Sequence, residues 1–305
     1  MREALEAVLG PVSEPRLLAG GASKEAWAVD AGGERLLVRR AAVGVIHRHT
    51  LSLEHEFEIL QAAYEAGVKV PKPISYLPDL AGREAFVMER LEGETIGRRI
   101  VRMQLPAEFP RQLAEELAKI HAIPAERVPF LGAATLERMV DELDEIDEPH
   151  PAIELGLWWL RENRPPPRPP VVVHGDFRIG NVVVDERGLV GVLDWEFAHI
   201  DEPARDLAFG LVRAWRFGVP EKRLGGVAEV EPYLGRYNEL TGLEITPAEL
   251  DYWELAGNVG WAIGCLTQAQ RHLSGQDRSV ELAILGRLGV EVEHEICSLL
   301  EKAAA

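Results

Sequence analysis

One segment, residues 171–206, constrains the fold of this chain more than any other. It reads VVVHGDFRIGNVVVDERGLVGVLDWEFAHIDEPARD and contains three short runs rich in valine and leucine. A turn-forming stretch from Asp185 to Gly188 separates the second run from the third, which is typical of a β-hairpin. The segment therefore predicts a strand, then a loop made adaptable by Gly175 and Gly180, and then a hairpin.

The predicted hairpin would bring three oxygen-bearing side chains together at one end of a small sheet. Asn181 precedes the second run and Asp194 follows the third, so a hairpin places them near each other, and Asp176 lies in the preceding loop. Magnesium prefers oxygen ligands and is usually held by one or two carboxylates together with substrate phosphates. We therefore expect a catalytic carboxylate beside a magnesium site.

The spacing of these residues resembles a known family. His174-Gly-Asp176 with Asn181 five residues after the aspartate, followed by Asp194-Trp-Glu196, is similar to the aminoglycoside phosphotransferase-like proteins. These small-molecule kinases are related to protein kinases, in which a catalytic-loop Asp, a following Asn and the DFG Asp have analogous places. The resemblance implies that Asp176 orients the attacking hydroxyl and that Asn181 and Asp194 bind Mg2+.

Three more positions of the segment acquire roles through this resemblance. His174 and Asp206 are expected to support the catalytic loop, with Asp206 as a carboxylate that braces it. Capping the next helix is a second, compatible role for Asp206, because Asp is common at helix N-caps. Glu196 is a candidate contact for the substrate.

Near the N-terminus, residues 17–29 predict a strand, a glycine turn and a second strand. Backbone amides in such a turn can cradle phosphate oxygens. Gly20, Gly21 and Ser23 are therefore expected to bind the nucleotide that the resemblance implies. An ordinary hairpin is the alternative interpretation.

The next predicted strand ends in two arginines. In the family this strand carries a basic residue, usually Lys, for the nucleotide phosphates, and the matching residue here is Arg39, with Arg40 as a substitute. Arginine is permanently charged and forked, so it can grip phosphate and carboxylate. Glu56, on a helix predicted to begin at Leu53, aligns with the carboxylate that pairs with this basic residue. A solvated helix face is the alternative for Glu56, because neighbouring glutamates compete for the role.

Residues 85–93 predict a strand that leaves the small lobe and resembles the hinge between the two lobes of a kinase. The resemblance implies that backbone groups from Glu89 to Leu91 pair with the nucleotide base. Met88 and Leu91 would line the face of that base, and simple core packing is the alternative for both.

The expected fold is α+β and bilobal, similar to that of protein kinases. A small β-rich N-terminal lobe with one main helix would precede a larger, mostly helical C-terminal lobe. We expect residues 1–90 to bind the nucleotide and residues 91–305 to carry catalysis and substrate binding. The length of 305 residues exceeds that of a usual single domain and agrees with two lobes.

Residues 253–275 have helical periodicity, with Trp261 and Gln268 spaced along one face. The region resembles a subgroup of bacterial phosphotransferases whose relatives are encoded beside, or fused to, acyl-CoA dehydrogenases. Because the family builds its substrate pocket largely from these helices, Trp261 and Gln268 are candidates for lining it. Plain helix packing is the alternative.

Charge and composition exclude some classes of function. Fifty acidic and 33 basic residues give a net charge of -17, which disfavours nucleic-acid binding. The acidity suits a cationic substrate, although solubility is the alternative explanation. No apolar run approaches the roughly 20 residues of a membrane helix, and the N-terminus lacks signal-peptide architecture. Cys265 and Cys297 lie far apart, so buried free thiols and a cytoplasmic protein are expected.

The resemblance implies an ATP-dependent phosphotransferase with Mg2+ and a small hydroxylated substrate, and GTP is the alternative nucleotide. An aminoglycoside kinase and a kinase of metabolic alcohols, such as hydroxyacyl thioesters, both fit. A nucleotide-binding pseudokinase is a further alternative, but Asp176, Asn181 and Asp194 are all present. A protein kinase is disfavoured because no recognisable activation segment follows Asp194. The sequence indicates no oligomeric state.

Overall fold

The computed structural model describes residues 1–18, 24–41 and 50–304. Its first part is a five-stranded antiparallel sheet with the strand order β1-β2-β3-β5-β4. Helix α1 precedes the sheet, and helix α2 lies in sequence between β3 and β4. The elements are α1 (Arg2–Leu9), β1 (Arg16–Leu17), β2 (Lys24–Ala31), β3 (Glu34–Ala41), α2 (Leu53–Glu65), β4 (Pro73–Leu77) and β5 (Ala85–Glu89).

The remaining chain is mainly helical, with two small antiparallel sheets inserted between α6 and α7. This arrangement confirms the predicted α+β fold. One main helix was expected beside the first sheet, and the structure has a second, α1. The elements are α3 (Gly97–Ile100), α4 (Phe109–His121), α5 (Leu136–Asp144), α6 (Pro151–Glu162), β6 (Val171–Val173), β7 (Val182–Asp185), β8 (Gly188–Val192), β9 (His199–Asp201), α7 (Pro203–Phe209), α8 (Glu231–Thr241), α9 (Pro247–Leu273) and α10 (Val280–Ala304).

The two faces of the five-stranded sheet have different surroundings, because successive side chains of a strand point to opposite faces. One face contributes Val29 and Val38 to a small apolar core that includes Leu5 of α1. On the other face, Arg39 lies opposite Phe86 of β5. Phe86 belongs to the larger core, which also contains residues of α2 and of the C-terminal helices. Helix α2 therefore packs on the Arg39 face, and this second face is called the cleft face below.

The hairpin predicted around residues 185–188 is present. Strands β7 and β8 pair antiparallel with Val182 opposite Val192, and the N–H of Leu193 donates to the carbonyl of Asn181 at 2.8 Å. Strand β6 pairs with β9, a pairing that the sequence did not predict. The loop between β6 and β7 is thus held between two small sheets.

Both cysteines are free. Cys265 is buried as predicted, whereas Cys297 on α10 is exposed, so the prediction that both thiols are buried is wrong for Cys297. Within the described ranges, no helix combines the length and the apolar character that crossing a membrane requires.

Candidate active site

A buried carboxylate holds the loop between β6 and β7. Asp206, in the first turn of α7, accepts hydrogen bonds from the N–H groups of His174 at 2.8 Å and Gly175 at 3.0 Å. Nε2 of His121 lies 3.2 Å from the same carboxylate, and Nδ1 of His121 lies 2.6 Å from the hydroxyl of Tyr237. Burial acts to raise the pKa of Asp206, but the contact with His121 and the nearby His174 lower it below its ordinary value. The carboxylate is therefore ionised and fixes the loop backbone.

The alternative role of Asp206 as a helix cap is wrong. Glu202 occupies the N-cap position of α7, and Asp206 lies inside the helix with its carboxylate turned to the loop. His174 is fully buried; its Nδ1 accepts from the N–H of Asp176 at 3.2 Å, and its Nε2 donates to the carbonyl of Leu193 at 2.9 Å. Burial lowers the pKa of His174, which favours the neutral ring that this pattern needs. His174 therefore ties the loop to the hairpin.

Gly175 lies where the structure leaves no room for a side chain. Its φ is +79°, and a Cβ atom there would lie 2.2 Å from the carbonyl oxygen of Phe197. We expect Gly175→Ala to lower the free energy of unfolding by about 3 kcal/mol, because a left-handed conformation and overpacking against backbone both cost energy. Urea denaturation measures this loss. Gly218→Ala is the matched control, since Gly218 has φ +89° but nothing within 4 Å of its Cβ position. Equal losses in the two variants would contradict the steric explanation.

Asp176 is largely buried, and its carboxylate accepts hydrogen bonds from two side chains. Oδ2 accepts from Nδ2 of Asn181 at 2.5 Å, and Oδ1 accepts from Nε of Arg178 at 2.9 Å. The guanidinium of Arg178 in turn lies 4.3 Å from the ring centre of Trp215, a cation–π distance. Burial raises the pKa of Asp176 to about 6, and Arg178 acts in the opposite direction. A carboxylate with such a pKa can accept a proton near neutral pH.

Asp194 follows β8 in a left-handed conformation, with φ +69° and ψ +63°, which Asp tolerates better than most residues. Its Oδ1 lies 2.6 Å from Nη2 of Arg39. Burial acts to raise the pKa of Asp194, but Arg39 lowers it below its ordinary value. The oxygen atoms of Asn181 and Asp194 are the donor type that magnesium prefers. Residues 1–18, 24–41 and 50–304 contain no group of three His, Cys, Asp or Glu suited to a metal ion. Asn181 and Asp194 would provide two oxygen ligands for a magnesium ion that phosphates share.

Glu56 of α2 is buried, whereas its neighbours Glu54 and Glu58 are exposed. One carboxylate oxygen of Glu56, Oε1, lies 2.8 Å from Nε of Arg39, which is the pairing expected from the sequence. Burial raises the pKa of Glu56, while Arg39 and Lys24 act to lower it. The guanidinium of Arg39 therefore bridges Glu56 of α2 and Asp194, which follows β8.

Lys24 is a site residue that the sequence analysis missed. Its Nζ lies 2.5 Å from Oε2 of Glu56 and 2.8 Å from Oε2 of Glu196, and the side chain is almost completely buried. Glu196 also lies 3.7 Å from Arg39. The expected role of Glu196 as a substrate contact is therefore corrected: its carboxylate faces the cations of the five-stranded sheet. The sequence signal for Lys24 was its position directly after the glycine turn.

Arg40 does not share this cluster. Adjacent residues of a strand point to opposite faces, and Arg40 donates from Nε to the carbonyl of Leu80 at 3.1 Å and from Nη2 to that of Ala81 at 2.8 Å. The expectation that Arg40 could substitute for Arg39 is wrong for this reason. The predicted phosphate-binding residues of the glycine turn, namely Gly20, Gly21 and Ser23, lie outside the described residues.

The predicted hinge lies beside the cleft face. Met88 of β5 is half-buried opposite Leu37, on the same face as Arg39. Leu91 follows β5 and packs against β8 of the C-terminal part, where a Cβ atom on Gly191 would lie 2.4 Å from its Cδ1. Met88 and Leu91 thus flank the junction of the two parts of the chain.

Two backbone N–H groups of the hinge are already used in the structure. Glu89 donates to the carbonyl of Lys72 and Arg90 donates to that of Arg35, both at 2.9 Å. The expectation that all backbone groups from Glu89 to Leu91 serve a base is therefore too broad. A base would have to pair with other groups of the segment, of which the N–H of Leu91 is one.

Of the two residues expected on the pocket wall, Trp261 lies closer to the catalytic loop. Its ring centre is 4.7 Å from that of Trp215. The ring of Trp215 in turn contacts the guanidinium of Arg178. The indole N–H groups of both tryptophans are buried without a hydrogen-bond partner among the described residues. Gln268 is buried two helical turns further along α9 and accepts from Nη1 of Arg271 at 2.7 Å. Among the described residues, the structure thus brings Trp261 into the chain of contacts that begins at Asp176.

Arg178 and Trp215 were also missed by the sequence analysis. Arg178 lies only two residues after Asp176, so its place in the loop was a usable signal. Trp215 carries no such signal, because its contact with the loop depends on how the segment after α7 folds back.

Comparisons with solved structures agree with the fold of the chain. The chain is similar to spectinomycin phosphotransferase in complex with ADP and spectinomycin, with a TM-score of 0.70, 16% identity and 97% of each chain covered. It is also similar to a thermostable mutant of an aminoglycoside phosphotransferase in complex with AMP-PNP and hygromycin B. That match has a TM-score of 0.68, 16% identity, and coverage of 100% of this chain and 99% of the other.

Curated relatives include the acyl-CoA dehydrogenase family member 11 of Homo sapiens, 27% identical over 267 residues, covering 78% of this chain and 34% of the relative. The protein of the same name from Gallus gallus is 28% identical over 217 residues, covering 64% and 27%. The chain thus spans about a third of the length of these relatives or less. The model of the phosphotransferase enzyme family matches residues 14–240. Because this match covers more than half of the chain, the chain belongs to the phosphotransferase enzyme family.

Proposed function

We propose that the protein is an ATP-dependent kinase that transfers the γ-phosphoryl group of a magnesium-bound nucleotide to a hydroxyl group of a small molecule. The observation that carries the proposal is the convergence of Asp176, Asn181 and Asp194 at one end of the hairpin, with Arg39 on Asp194. The ADP and AMP-PNP bound to the two structural neighbours support an adenine nucleotide. GTP is the alternative.

We assign the nucleotide to the junction between residues 1–90 and residues 91–305. Met88 and Leu91 would flank the base, and Arg39 would turn from Asp194 to a phosphate oxygen. When bound by Asn181 and Asp194, Mg2+ would supply charge neutralisation at the phosphates. Arg39 contacts Oδ1 of Asp194, so a metal bound to Asp194 would compete with Arg39 for the negative charge and release Arg39 towards the phosphates; the nucleotide phosphates and the metal would then favour each other.

Asp176 would act at the acceptor. Its carboxylate would accept a hydrogen bond from the substrate hydroxyl and orient that oxygen in line with the γ-phosphorus. In the structure Arg178 holds Oδ1 and Asn181 holds Oδ2, so the acceptor must share or replace one of them. Replacing Arg178 would leave its charge free beside the phosphoryl group, where the transition state is negative.

A metabolic alcohol, such as a hydroxyacyl thioester, is the acceptor class that we favour. The curated relatives named as acyl-CoA dehydrogenase family members support it, and Arg178 beside Asp176 is a poor neighbour for a polycation. Spectinomycin and hygromycin B in the structural neighbours and the net charge of -17 support an aminoglycoside instead. We expect Trp261 to line the acceptor pocket in either case.

The test is nucleotide turnover with Mg2+ against a panel of alcohols that includes hydroxyacyl-CoA thioesters and aminoglycosides, with ATP and GTP compared. Turnover that one acceptor class stimulates, and that Asp176→Ala abolishes, is the expected result and identifies the class. Absence of nucleotide binding would contradict the proposal. Tight binding of magnesium nucleotide without turnover on any acceptor would favour the pseudokinase.

The pH profile provides an independent prediction. Because Asp176 must be ionised to accept a proton, and burial raises its pKa to about 6, kcat/KM is expected to fall as the pH falls through about 6. Arg178 lowers this pKa, so Arg178→Leu should shift the acidic limb to higher pH. Arg178→Lys keeps the charge and is the control. If the acidic limb of the kcat/KM profile lay at the same pH in Arg178→Leu and in the wild type, its assignment to Asp176 would be contradicted.

A further inference from the structure

Lys24 and Arg39 approach the same carboxylate from neighbouring strands. In the register of β2 and β3, Lys24 lies opposite Ala41 and Arg39 lies opposite Ala26, so both cations point to the cleft face. Oε2 of Glu56 contacts Lys24, and Oε1 of Glu56 contacts Arg39. The helix carboxylate is therefore shared between two cations that come from different strands.

Neither cation uses all of its N–H donors on the carboxylates. The guanidinium of Arg39 has five N–H donors; its Nε lies 2.8 Å from Oε1 of Glu56 and its Nη2 lies 2.6 Å from Oδ1 of Asp194. The ammonium of Lys24 has three N–H donors, and contacts with Glu56 and Glu196 account for two of them. Among the contacts of the described residues, Lys24 thus retains one donor that a phosphate oxygen can use.

We propose that Lys24 is a second cation for the nucleotide phosphates and supplies the ammonium group that β3 lacks, because Arg39 stands on that strand. This inference rests on the proposed function of the site. Lys24 directly follows the segment 19–23, for which the sequence predicts a glycine turn. A compact ammonium binds phosphate as a point charge, whereas a guanidinium binds carboxylate or phosphate through a planar fork. Lys24 would therefore add a point charge for the phosphates beside the fork of Arg39.

Charge balance gives the physical reason for a second cation. Among the described residues, Lys24 and Arg39 face the three carboxylates of Glu56, Asp194 and Glu196. Phosphates would bind beside these carboxylates. Without Lys24 the same three carboxylates would face one cation, and an anionic ligand would be repelled more strongly.

Calorimetric binding of ATP and of adenosine to the full chain tests the inference without requiring turnover. We expect Lys24→Met to weaken binding of ATP, with and without Mg2+, by about tenfold or more. Adenosine has no phosphate, so its affinity should not change. Lys24→Arg keeps the charge and should retain part of the ATP affinity. Wild-type ATP affinity in Lys24→Met, or an equal loss for ATP and adenosine, would overturn the inference.

A double variant separates phosphate binding from simple neutralisation of carboxylates. If Lys24 only neutralises Glu196, then Lys24→Met with Glu196→Gln should recover the ATP affinity, and this recovery would overturn the inference. If Lys24 contacts phosphate, the double variant should stay weak. The double variant also removes the buried carboxylate that loses its contact with Lys24 in the single variant, and thermal melting reports on folding for every variant.

Arg40→Met is the matched control, because it removes a buried cation from the opposite face of the same sheet, away from the cluster. It should leave ATP affinity unchanged. Lack of ATP binding by the wild-type chain would contradict the proposed function itself. ATP binding by the wild type, with equal affinity in Lys24→Met, would contradict only the role of Lys24.

Discussion

Asp176→Asn is expected to lower turnover by about 10³-fold, with nucleotide affinity within about threefold of the wild-type value. The amide preserves the size of the side chain but cannot accept a proton. It also weakens the charged contact with Arg178, so the acceptor hydroxyl would be neither oriented nor deprotonated. Because Asp176 has no contact with the cleft face in our assignment, nucleotide binding should persist. Steady-state turnover and titration calorimetry measure the two effects separately.

The control for this variant is Asp185→Asn. Asp185 lies in the hairpin that follows the loop of Asp176, and its carboxylate accepts hydrogen bonds from Arg187 at the turn, away from that loop. We expect turnover within about threefold of the wild type for the control. If Asp176→Asn kept turnover within about tenfold of the wild type, Asp176 would not be the catalytic carboxylate.

Asp194→Ala is expected to abolish the gain in nucleotide affinity that Mg2+ gives to the wild type and to lower turnover by about 10³-fold. The estimate follows because charge stabilisation by a metal is worth several kcal/mol, and about 1.4 kcal/mol corresponds to tenfold in rate. Without Mg2+, the variant should bind ATP at least as tightly as the wild type. The reason is that Arg39, which Asp194 now holds at 2.6 Å, becomes available to the phosphates.

Calorimetry of ATP binding with and without Mg2+ measures both expected effects on the affinity directly. Asp194→Asn is the companion variant, since it keeps the size and one oxygen donor but loses the charge that attracts both the metal and Arg39. An undiminished Mg2+-dependent gain in Asp194→Ala would remove Asp194 from the metal site. Weaker Mg2+-free binding in Asp194→Ala would contradict the competition between Arg39 and the phosphates.

The sequence was most informative where function depends on residues close together in the chain. Asp176, Asn181 and Asp194 lie within one strand-loop-hairpin unit, and the hairpin that joins Asn181 to Leu193 is present. Valine-rich runs, glycines and a four-residue turn encode such a unit locally, because strand and turn preferences act over a few residues. The α+β class followed from the same local patterns, extended by resemblance.

The errors arose where spacing along the chain does not determine direction in space. Glu196 follows Asp194 closely, yet its carboxylate turns to Lys24 and not to a substrate wall. Arg40 is adjacent to Arg39, but a strand sends neighbouring side chains to opposite faces, and the packing of α1 and α2 decides which face is the cleft. For Asp206, the cap role was excluded because α7 starts three residues earlier, at Pro203.

By itself the sequence predicted the hairpin from local residue preferences and, through the resemblance, the fold class, the candidate catalytic loop and the two candidate metal ligands. The tertiary structure alone decided the charged cluster beside Asp194. Lys24, Glu56 and Glu196 come from a strand, an α-helix and a short 3-10 helix more than 30 residues apart. They meet because burial of apolar surface packs α2 between the sheet and the C-terminal core. Once buried together, opposite charges must pair, and only the packed fold selects the partners.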